Sequence, residues 1–226
     1  MALDERPEVT AQRNFREHRE ALASLDLRRR FEYIRRHNLW GCDESVSGVG
    51  STMAETASLR AGIPPLLAET GARSLLDIPC GDFGWLSTVE LGVPYTGADI
   101  VEALVEANRQ RYARDDRRFL RLDLTADALP AADLVLCRDC LVHLSYANIE
   151  RALANIRASG ARWLLTTTFL RQQENREIED GDWRPLNFEL PPFSFAPPER
   201  VLIESCVEAG GAYDDKALGL WRVTRP

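Results

Sequence analysis

Lysine is almost absent from this sequence: it occurs once, at position 216, and arginine supplies the other 27 of the 28 basic residues. A Walker-type phosphate loop, G-x-x-x-x-G-K-[ST], is therefore excluded, because no lysine is placed to serve it. The formal net charge is −7 at pH 7. An acidic protein gains little from counterion release at a phosphate backbone, so we expect no nucleic-acid partner.

The sequence also lacks a long apolar run. No stretch approaches the ~18 apolar residues that a membrane-spanning helix needs, and residues 1–10 show no secretory signal pattern. The five cysteines are an odd number and are scattered, which excludes a disulfide framework. Cys137 and Cys140 match C-x-x-C, but no second pair lies at zinc-ligand spacing. We expect buried thiols, no metal site, no membrane contact and a cytoplasmic location.

Apolar segments with strand character alternate with helical segments between residues 72 and 169. The predicted strands are Ser74–Ile78, Tyr95–Asp99, Arg118–Leu122, Leu134–Cys137 and Trp163–Thr168. The predicted helices are Leu86–Leu91, Val101–Arg114 and Tyr146–Ser159. This alternation predicts an α/β fold, a parallel sheet with helices on both faces. Two later strands, Arg200–Cys206 and Leu218–Val223, are joined too closely for a crossover helix and should pair antiparallel at one edge.

The first 70 residues have a different pattern. Apolar residues between 10 and 40 recur at roughly helical spacing and predict one or two amphipathic helices, with Trp40 either in the core, which is the favoured assignment, or in a pocket wall. A glycine- and serine-rich loop, SVSGVGSTMAET, follows at 45–56. Thr52 and Glu55 in it fit a capping box, which opens a helix ending before the Gly62-Ile63-Pro64 segment. A second short helix is predicted from Pro65 to Glu69.

The segment LLDIPCGDFGW, residues 75–85, is a buried strand that ends in a glycine-bearing turn. A dinucleotide-binding turn needs G-x-G-x-x-G, and only Gly81 and Gly84 remain here, which disfavours an NAD-dependent reductase. S-adenosylmethionine has no pyrophosphate and needs instead a close backbone approach, an acid for its ribose hydroxyls and a polar contact for adenine. Asp99 ends the second strand, where dinucleotide folds place the ribose-binding acid. Asp123 follows the third strand and could bind the adenine amino group.

Four motifs in order, LLDIPCGDFGW, YTGADI, LRLDLT and ADLVLCRDCLVHL, resemble the class I S-adenosylmethionine-dependent methyltransferases. The resemblance covers residues 72–169 closely and 200–224 in pattern. It implies a Rossmann-like three-layer α/β/α sandwich, with a mostly parallel seven-stranded sheet and an antiparallel C-terminal strand. It also implies S-adenosylmethionine as cofactor. Residues 1–70 would then form a helical arm or cap over the cofactor pocket, and 71–226 the methyltransferase core, with 170–198 on the substrate side.

The cofactor residues implied by this resemblance lie at strand ends, in the turn and in the glycine- and serine-rich loop. They are Asp77, Pro79, Cys80, Gly81, Asp99, Ile100, Asp123, Leu124, Arg138 and Ser51. The family's usual run is D-x-G-x-G-x-G, and Pro79 and Phe83 replace its first and third glycines. Contacts to the amino-acid part of the cofactor should therefore come from Gly81 and its neighbours. The loop that contains Ser51 opens a helix, whose exposed N–H groups favour the cofactor carboxylate.

Methyl transfer from a sulfonium is an in-line displacement, and a hydroxyl nucleophile must also lose a proton to a base. His143 is the only histidine near the end of the fourth strand and is the candidate base. If a helix begins there, Asp139 lies at i and His143 at i+4, so the carboxylate could orient the imidazole. Arg138 either pairs with Asp139 or binds an acidic substrate.

Residues 170–198 are polar, rich in proline and contain several aromatics, which suits a long ordered loop with a functional role. Trp183, Arg184 and Asn187 in it are the candidate substrate-binding residues, together with Arg138. Such aromatic and polar side chains suit a sugar or a polyhydroxylated small molecule. The alternative is that the aromatics form the packed base of the loop.

The sequence thus predicts a methyltransferase that acts on a hydroxyl of a small molecule or saccharide. An N-methyltransferase acting on a small amine is an alternative. A non-catalytic adenosyl-binding partner subunit is another, because Pro79 and Phe83 depart from the family turn. The sequence makes no prediction of oligomeric state.

Overall fold

The computed structural model describes residues 6–224, so residues 1–5 of the predicted arm and 225–226 of the predicted core lie outside the described residues. Its centre is a seven-stranded sheet in the order β3-β2-β1-β4-β5-β7-β6. The strands are β1 (Leu75–Asp77), β2 (Tyr95–Asp99), β3 (Arg117–Arg121), β4 (Leu134–Cys137), β5 (Trp163–Phe169), β6 (Arg200–Ile203) and β7 (Lys216–Arg222). Strands β1 to β5 are parallel, and β7 runs antiparallel to both β5 and β6. The predicted fold class is confirmed.

Helices cover both faces of this sheet. They are α1 (Thr10–Ala23), α2 (Leu27–Arg36), α3 (Ala57–Thr70), α4 (Glu102–Tyr112) and α5 (Tyr146–Ala158). Neighbouring residues of β4 point to opposite sides: Leu136 packs in the cluster that contains α3 and α4, and Val135 packs in the cluster that contains α5. Because side chains alternate along a strand, a sheet buried on both faces has a core on each. Among the described residues, no helix combines the length and apolarity needed to cross a membrane.

Two helix predictions are wrong. The segment 86–91 forms only a 3-10 turn, Leu86–Thr88. The hydroxyls of Ser87 and Thr88 donate to the carbonyls of Gly84 and Trp85, at 2.6 and 2.7 Å. Such local side-chain bonds compete with helix extension.

Helix α3 is continuous where the prolines predicted two helices, with Pro64 and Pro65 in its interior. Burial of Leu59, Ile63 and Leu66 outweighs the hydrogen bonds that the prolines remove. The predicted capping box is half formed ahead of this helix: Thr52 Oγ1 accepts from the N–H of Glu55 at 3.3 Å.

The loop 170–198 packs its aromatics inward. Phe188 is fully buried, and its ring lies 5.0 Å from Phe193, 5.3 Å from Phe195 and 6.1 Å from Trp221, between ring centroids. The sequence allowed these aromatics either to bind a substrate or to form the packed base of the loop, and the phenylalanines form the packed base. The loop is therefore an ordered part of the core on the α5 side of the sheet.

Replacing Phe188 by Ala should lower the free energy of unfolding by about 3–5 kcal/mol, because a fully buried ring leaves a cavity. Urea denaturation followed by circular dichroism measures this change. Val207→Ala is the control, since Val207 is 68% exposed, and its effect should stay within about 0.5 kcal/mol. Equal stability of the two variants would show that the loop does not belong to the cooperative core.

Candidate functional site

A cleft opens at the carboxyl ends of β1, β2 and β4, the edge where parallel α/β sheets bind ligands. We call it the first cavity; with its open mouth it encloses about 870 Å³. The turn 79–82 after β1, residues 99–101 after β2 and residues 138–140 after β4 line it. Phe31 and Arg35 of α2 line it from the arm. The arm thus supplies one wall of the cleft.

The turn after β1 brings backbone to the cleft. Gly81 adopts φ +55°, and a Cβ there would overlap the hydroxyl of Ser47. Phe83, at the third glycine position of the family run, also takes a left-handed conformation, φ +57°. Its ring is 1% exposed and packs against Tyr95 and Phe119 at 4.9 and 5.2 Å. Packing of this ring therefore supports the strained backbone that glycine would adopt freely.

Two buried carboxylates face the first cavity. Asp99 accepts the N–H groups of Gly81 and Val101 at 3.1 and 2.9 Å, and Asp77 accepts the hydroxyl of Tyr95 at 2.7 Å. Burial raises the pKa of Asp99 to about 6, against these backbone hydrogen bonds. Burial, with the charge of Asp99 adding to it, raises the pKa of Asp77 to about 7, against its bond from Tyr95. Both groups would be stabilised by hydrogen-bond donors of a ligand.

Four charged side chains form a buried ion cluster beside the cleft: Arg138, Asp139, Glu204 and Lys216. The guanidinium of Arg138 contacts Glu204 at 2.5 Å and Asp139 at 3.2 Å, and it donates to the carbonyl of Gly50 at 2.7 Å. The ammonium of Lys216 lies 2.6 Å from Asp139 and 3.3 Å from Glu204. Two cations and two anions thus balance one another.

Asp139 is held in a strained conformation by this cluster, with φ +48°. Its N–H donates to Thr167 Oγ1 at 2.8 Å. Although burial opposes ionisation, Arg138 and Lys216 hold the pKa of Asp139 well below its usual range. Asp139 is therefore a fixed carboxylate with little capacity to take up a proton.

His143 is not on an α-helix, so the predicted i, i+4 pairing with Asp139 is wrong in its geometry. Residues Leu141–His143 form a 3-10 turn, and His143 Nδ1 lies 2.8 Å from the carbonyl oxygen of Asp182. A carbonyl can only accept, so Nδ1 carries the proton and Nε2 the lone pair. Among residues 6–224, Nε2 has no hydrogen-bond partner. Burial lowers the pKa of His143 to about 4, which keeps the ring neutral.

A second cavity adjoins the first; with its open side it encloses about 540 Å³. Phe169, Trp183, Tyr213, Glu208 and Lys216 line it. Four residues, Trp40, Ser47, Asp139 and His143, line both cavities. The two cavities therefore meet at the candidate catalytic residues.

Comparison with known proteins agrees with this geometry. Residues 76–160 match the family model described as a methyltransferase domain. The matched residues, from β1 to the end of α5, are thus similar to a methyltransferase domain. A search of curated protein sequences finds no significant match.

Solved structures match the fold of the whole domain. The 1,6-didemethyltoxoflavin-N1-methyltransferase of Burkholderia thailandensis, crystallised with S-adenosylhomocysteine, is 19% identical over 96% of this chain and 92% of its own, at a TM-score of 0.60. Human N-acetylserotonin methyltransferase, in complex with S-adenosylmethionine, is 14% identical over 96% and 61%, at 0.56. The bacterial CtHen1-C methyltransferase domain is 12% identical over 77% and 100%, at 0.55. These likenesses establish the class I methyltransferase fold.

This chain spans only about two thirds or less of the length of the first matched structures, 66% of the bacterial CtHen1-CN domain and 61% of the human enzyme. Within the described part of the chain, no group of three or more His, Cys, Asp or Glu side chains is arranged to hold a metal ion. The five cysteines are free thiols.

The fold places most of the predicted cofactor residues on the first cavity. These are Asp77, Pro79, Cys80, Gly81, Asp99, Ile100, Arg138 and Ser51. Asp123 and Leu124 lie outside both cavities: Asp123 accepts the N–H and hydroxyl of Thr125 at 2.7 Å, and Leu124 packs in the core. The Asp123 carboxylate is thus used to close its own turn.

The predicted substrate residues separate into three environments. Trp183 lines the second cavity. Arg184 donates to the carbonyls of Leu141 and Leu144, at 2.9 and 2.6 Å, and burial lowers its pKa to about 10. Asn187 donates to Gln172 within the loop. Arg184 and Asn187 therefore hold the loop and the His143 turn in place and are not available to a substrate.

Arg138 lies beside the first cavity, but its guanidinium is fully engaged in the ion cluster. Of the two predicted roles, pairing with Asp139 therefore fits the structure better than binding an acidic substrate. Sequence reasoning missed the other two members of the cluster: Glu204, which pairs with Arg138, and Lys216, the sole lysine, which pairs with Asp139 and Glu204. Of the two assignments considered for Trp40, both describe part of it: the ring packs against the arm cluster, and it also lines both cavities and lies 5.1 Å from His143.

Replacing Asp77 by Asn should change the pH dependence of stability. The folded pKa of Asp77 is raised from 3.8 to about 7, so the folded protein binds more protons than the unfolded chain between these values. Stability from this group is therefore lost as the pH rises through that range. The free energy of unfolding of Asp77→Asn relative to wild type should thus increase with pH, by at most about 1.4 kcal/mol per pH unit.

Urea denaturation at pH 4, 5, 6, 7 and 8 tests this expectation. Asp115→Asn, at an exposed aspartate, is the matched control and should show a difference from wild type that does not vary with pH. A pH-independent difference for Asp77→Asn would contradict the raised pKa.

Proposed function

We propose that this methyltransferase binds S-adenosylmethionine in the first cavity and transfers its methyl group to a small-molecule acceptor in the second. The observation that carries the proposal is the meeting of the two cavities at Asp139 and His143. A methyl donor and an acceptor in adjoining cavities can approach in line at that junction, and such positioning supplies much of the rate.

The first cavity suits the cofactor on several grounds. The carboxylates of Asp77 and Asp99 need hydrogen-bond donors, which ribose hydroxyls and an ammonium group provide. Ile100, Val101 and Leu104 form an apolar wall beside them. Arg35 Nε is buried and has no acceptor among the described residues, although Arg35 lines this cavity. A ligand with an acceptor atom at that point would satisfy it.

When bound, S-adenosylmethionine supplies an electrophilic methyl group on a sulfonium. The protein supplies position and proton transfer. The Trp40 ring and the Asp182 carbonyl orient the imidazole of His143. His143 Nε2 carries a free lone pair at the junction, so it can accept the proton of a hydroxyl nucleophile. Asp139, kept ionised by Arg138 and Lys216, provides a fixed negative charge beside it.

The oxygen-directed reaction is the better supported of the two alternatives, because a neutral buried imidazole with a free Nε2 is a base placed where the nucleophile must be. A small amine as methyl acceptor remains the second candidate, since a neutral amine needs no such base. The aromatic walls of the second cavity also suit one face of a saccharide.

Asp99→Ala should weaken binding of S-adenosylmethionine and S-adenosylhomocysteine by roughly tenfold or more, because it removes a charged hydrogen-bond acceptor from the cleft. Isothermal titration calorimetry with these two compounds and with NAD measures the affinities. Asp115→Ala is the matched control and should bind like wild type. Absence of adenosyl binding in the wild type, or preference for NAD, would refute the proposed cofactor.

His143→Ala should lower kcat by about 100-fold or more with any hydroxyl acceptor that the wild type methylates, while cofactor affinity should change by less than about tenfold, because His143 meets the first cavity at the junction. Because the pKa of His143 is about 4, its lone pair is free throughout pH 6–8, and we expect no inflection of kcat from this group in that range. His37→Ala, at an exposed histidine, is the control. Nearly full activity of His143→Ala would favour the amine acceptor.

A further inference from the structure

The part of the second cavity that lies away from the junction has walls of interlocked aromatic rings. Trp183 meets Tyr213 at 5.1 Å and Phe169 at 5.8 Å between ring centroids, with interplanar angles of 88° and 89°. Phe169 and Tyr213 meet at 6.0 Å and 81°. These edge-to-face contacts fix the rings relative to one another. The cavity therefore offers rigid ring surfaces to a ligand, with one face of Tyr213 already covered by the guanidinium of Arg6, 5.3 Å from the ring centroid.

Glu208 lines this same part of the cavity and has no ion pair or side-chain hydrogen bond among residues 6–224. It is half-buried, and burial raises its pKa. A buried carboxylate without a partner is costly to keep ionised, so it is an attractive site for a cation or a hydrogen-bond donor.

The other charges around the second cavity are already matched. Asp139 is paired with Lys216 and Arg138, Lys216 also contacts Glu204, and His143 is neutral. The carboxylate of Glu208 has no direct ion pair, and Lys216, the cation whose charge reaches it, is already bound to Asp139 and Glu204. A negative charge beside aromatic faces favours an organic cation, because ring quadrupoles attract cations as well.

At the other end of the cavity, Trp40 supplies a donor. Its indole Nε1 is buried and has no acceptor among the described residues, and the ring lines both cavities. The junction thus offers one unused donor, Trp40 Nε1, and one unused acceptor, His143 Nε2. A hydroxyl, which donates and accepts, would satisfy both.

We propose that the acceptor is an amine-bearing small molecule, with its ammonium group held by Glu208 against the Trp183 and Tyr213 rings and a separate hydroxyl at the junction. The ammonium group is a recognition element, because a protonated amine has no lone pair with which to accept a methyl group. The assignment of the hydroxyl as methyl acceptor rests on the proposed function; the amine-binding site does not.

Three phenols that differ in one group test the site: tyramine carries an ammonium, tyrosol a neutral hydroxyl and 4-hydroxyphenylacetate a carboxylate. Calorimetric titration of the full chain, with and without S-adenosylhomocysteine, measures their affinities. We expect tyramine to bind roughly tenfold or more tightly than tyrosol, and 4-hydroxyphenylacetate to bind most weakly. In Glu208→Gln the advantage of tyramine over tyrosol should disappear, with tyrosol affinity unchanged.

Glu189→Gln, at an exposed carboxylate of the loop 170–198, is the matched control and should retain the tyramine preference. Equal affinities of the three phenols in the wild type, or no binding of any of them, would overturn the amine site. So would a tyramine preference that survives in a folded Glu208→Gln variant. Failure of S-adenosylhomocysteine to bind would refute the proposed function separately, because the comparison of the three phenols without it remains valid.

Discussion

The pairing of Arg138 with Glu204, at the centre of the buried ion cluster, is the interaction on which the site depends. It joins the loops after β4 and β6, while Lys216 ties in the start of β7 and Gly50 the arm loop. Removing one partner would leave an uncompensated buried charge, which costs several kcal/mol, about 3–5 in comparable cases. The cluster thus fixes the strand ends that separate the two cavities, and it holds Asp139 in its strained conformation.

The cleft beside this cluster contains buried polar groups whose protonation or hydrogen bonding is unfavourable when no ligand is bound. Asp77 and Asp99 are buried carboxylates with raised pKa values, and His143 is a neutral imidazole whose Nε2 has no partner in the described chain. Arg35 Nε and Trp40 Nε1 are buried donors without acceptors there. Such groups reduce stability unless a ligand completes them. Their concentration on two adjoining cavities is the physical argument for a cofactor and an acceptor.

Local patterns predicted the sheet well, because alternating burial on two faces leaves a clear signal in the sequence. Strands Tyr95–Asp99 and Leu134–Cys137 begin and end where expected. Predictions failed where tertiary contacts outweighed local preference, as in α3, whose buried leucines and isoleucine hold it together through Pro64 and Pro65. The acids Asp77 and Asp99 could be placed at the cleft because the carboxyl ends of parallel strands lie together at the edge of the sheet that binds ligands.

The sequence by itself determined the α/β order, the carboxyl-edge turn with Gly81 and the acids that end β1 and β2. Only the tertiary structure decided what the other charged side chains do. Arg138 finds Glu204 66 residues away, and Arg184 finds the Leu141 carbonyl 43 residues away. The role of a long polar side chain depends on which partner lies within hydrogen-bond distance. Folding brings such partners together from segments that share no local sequence pattern.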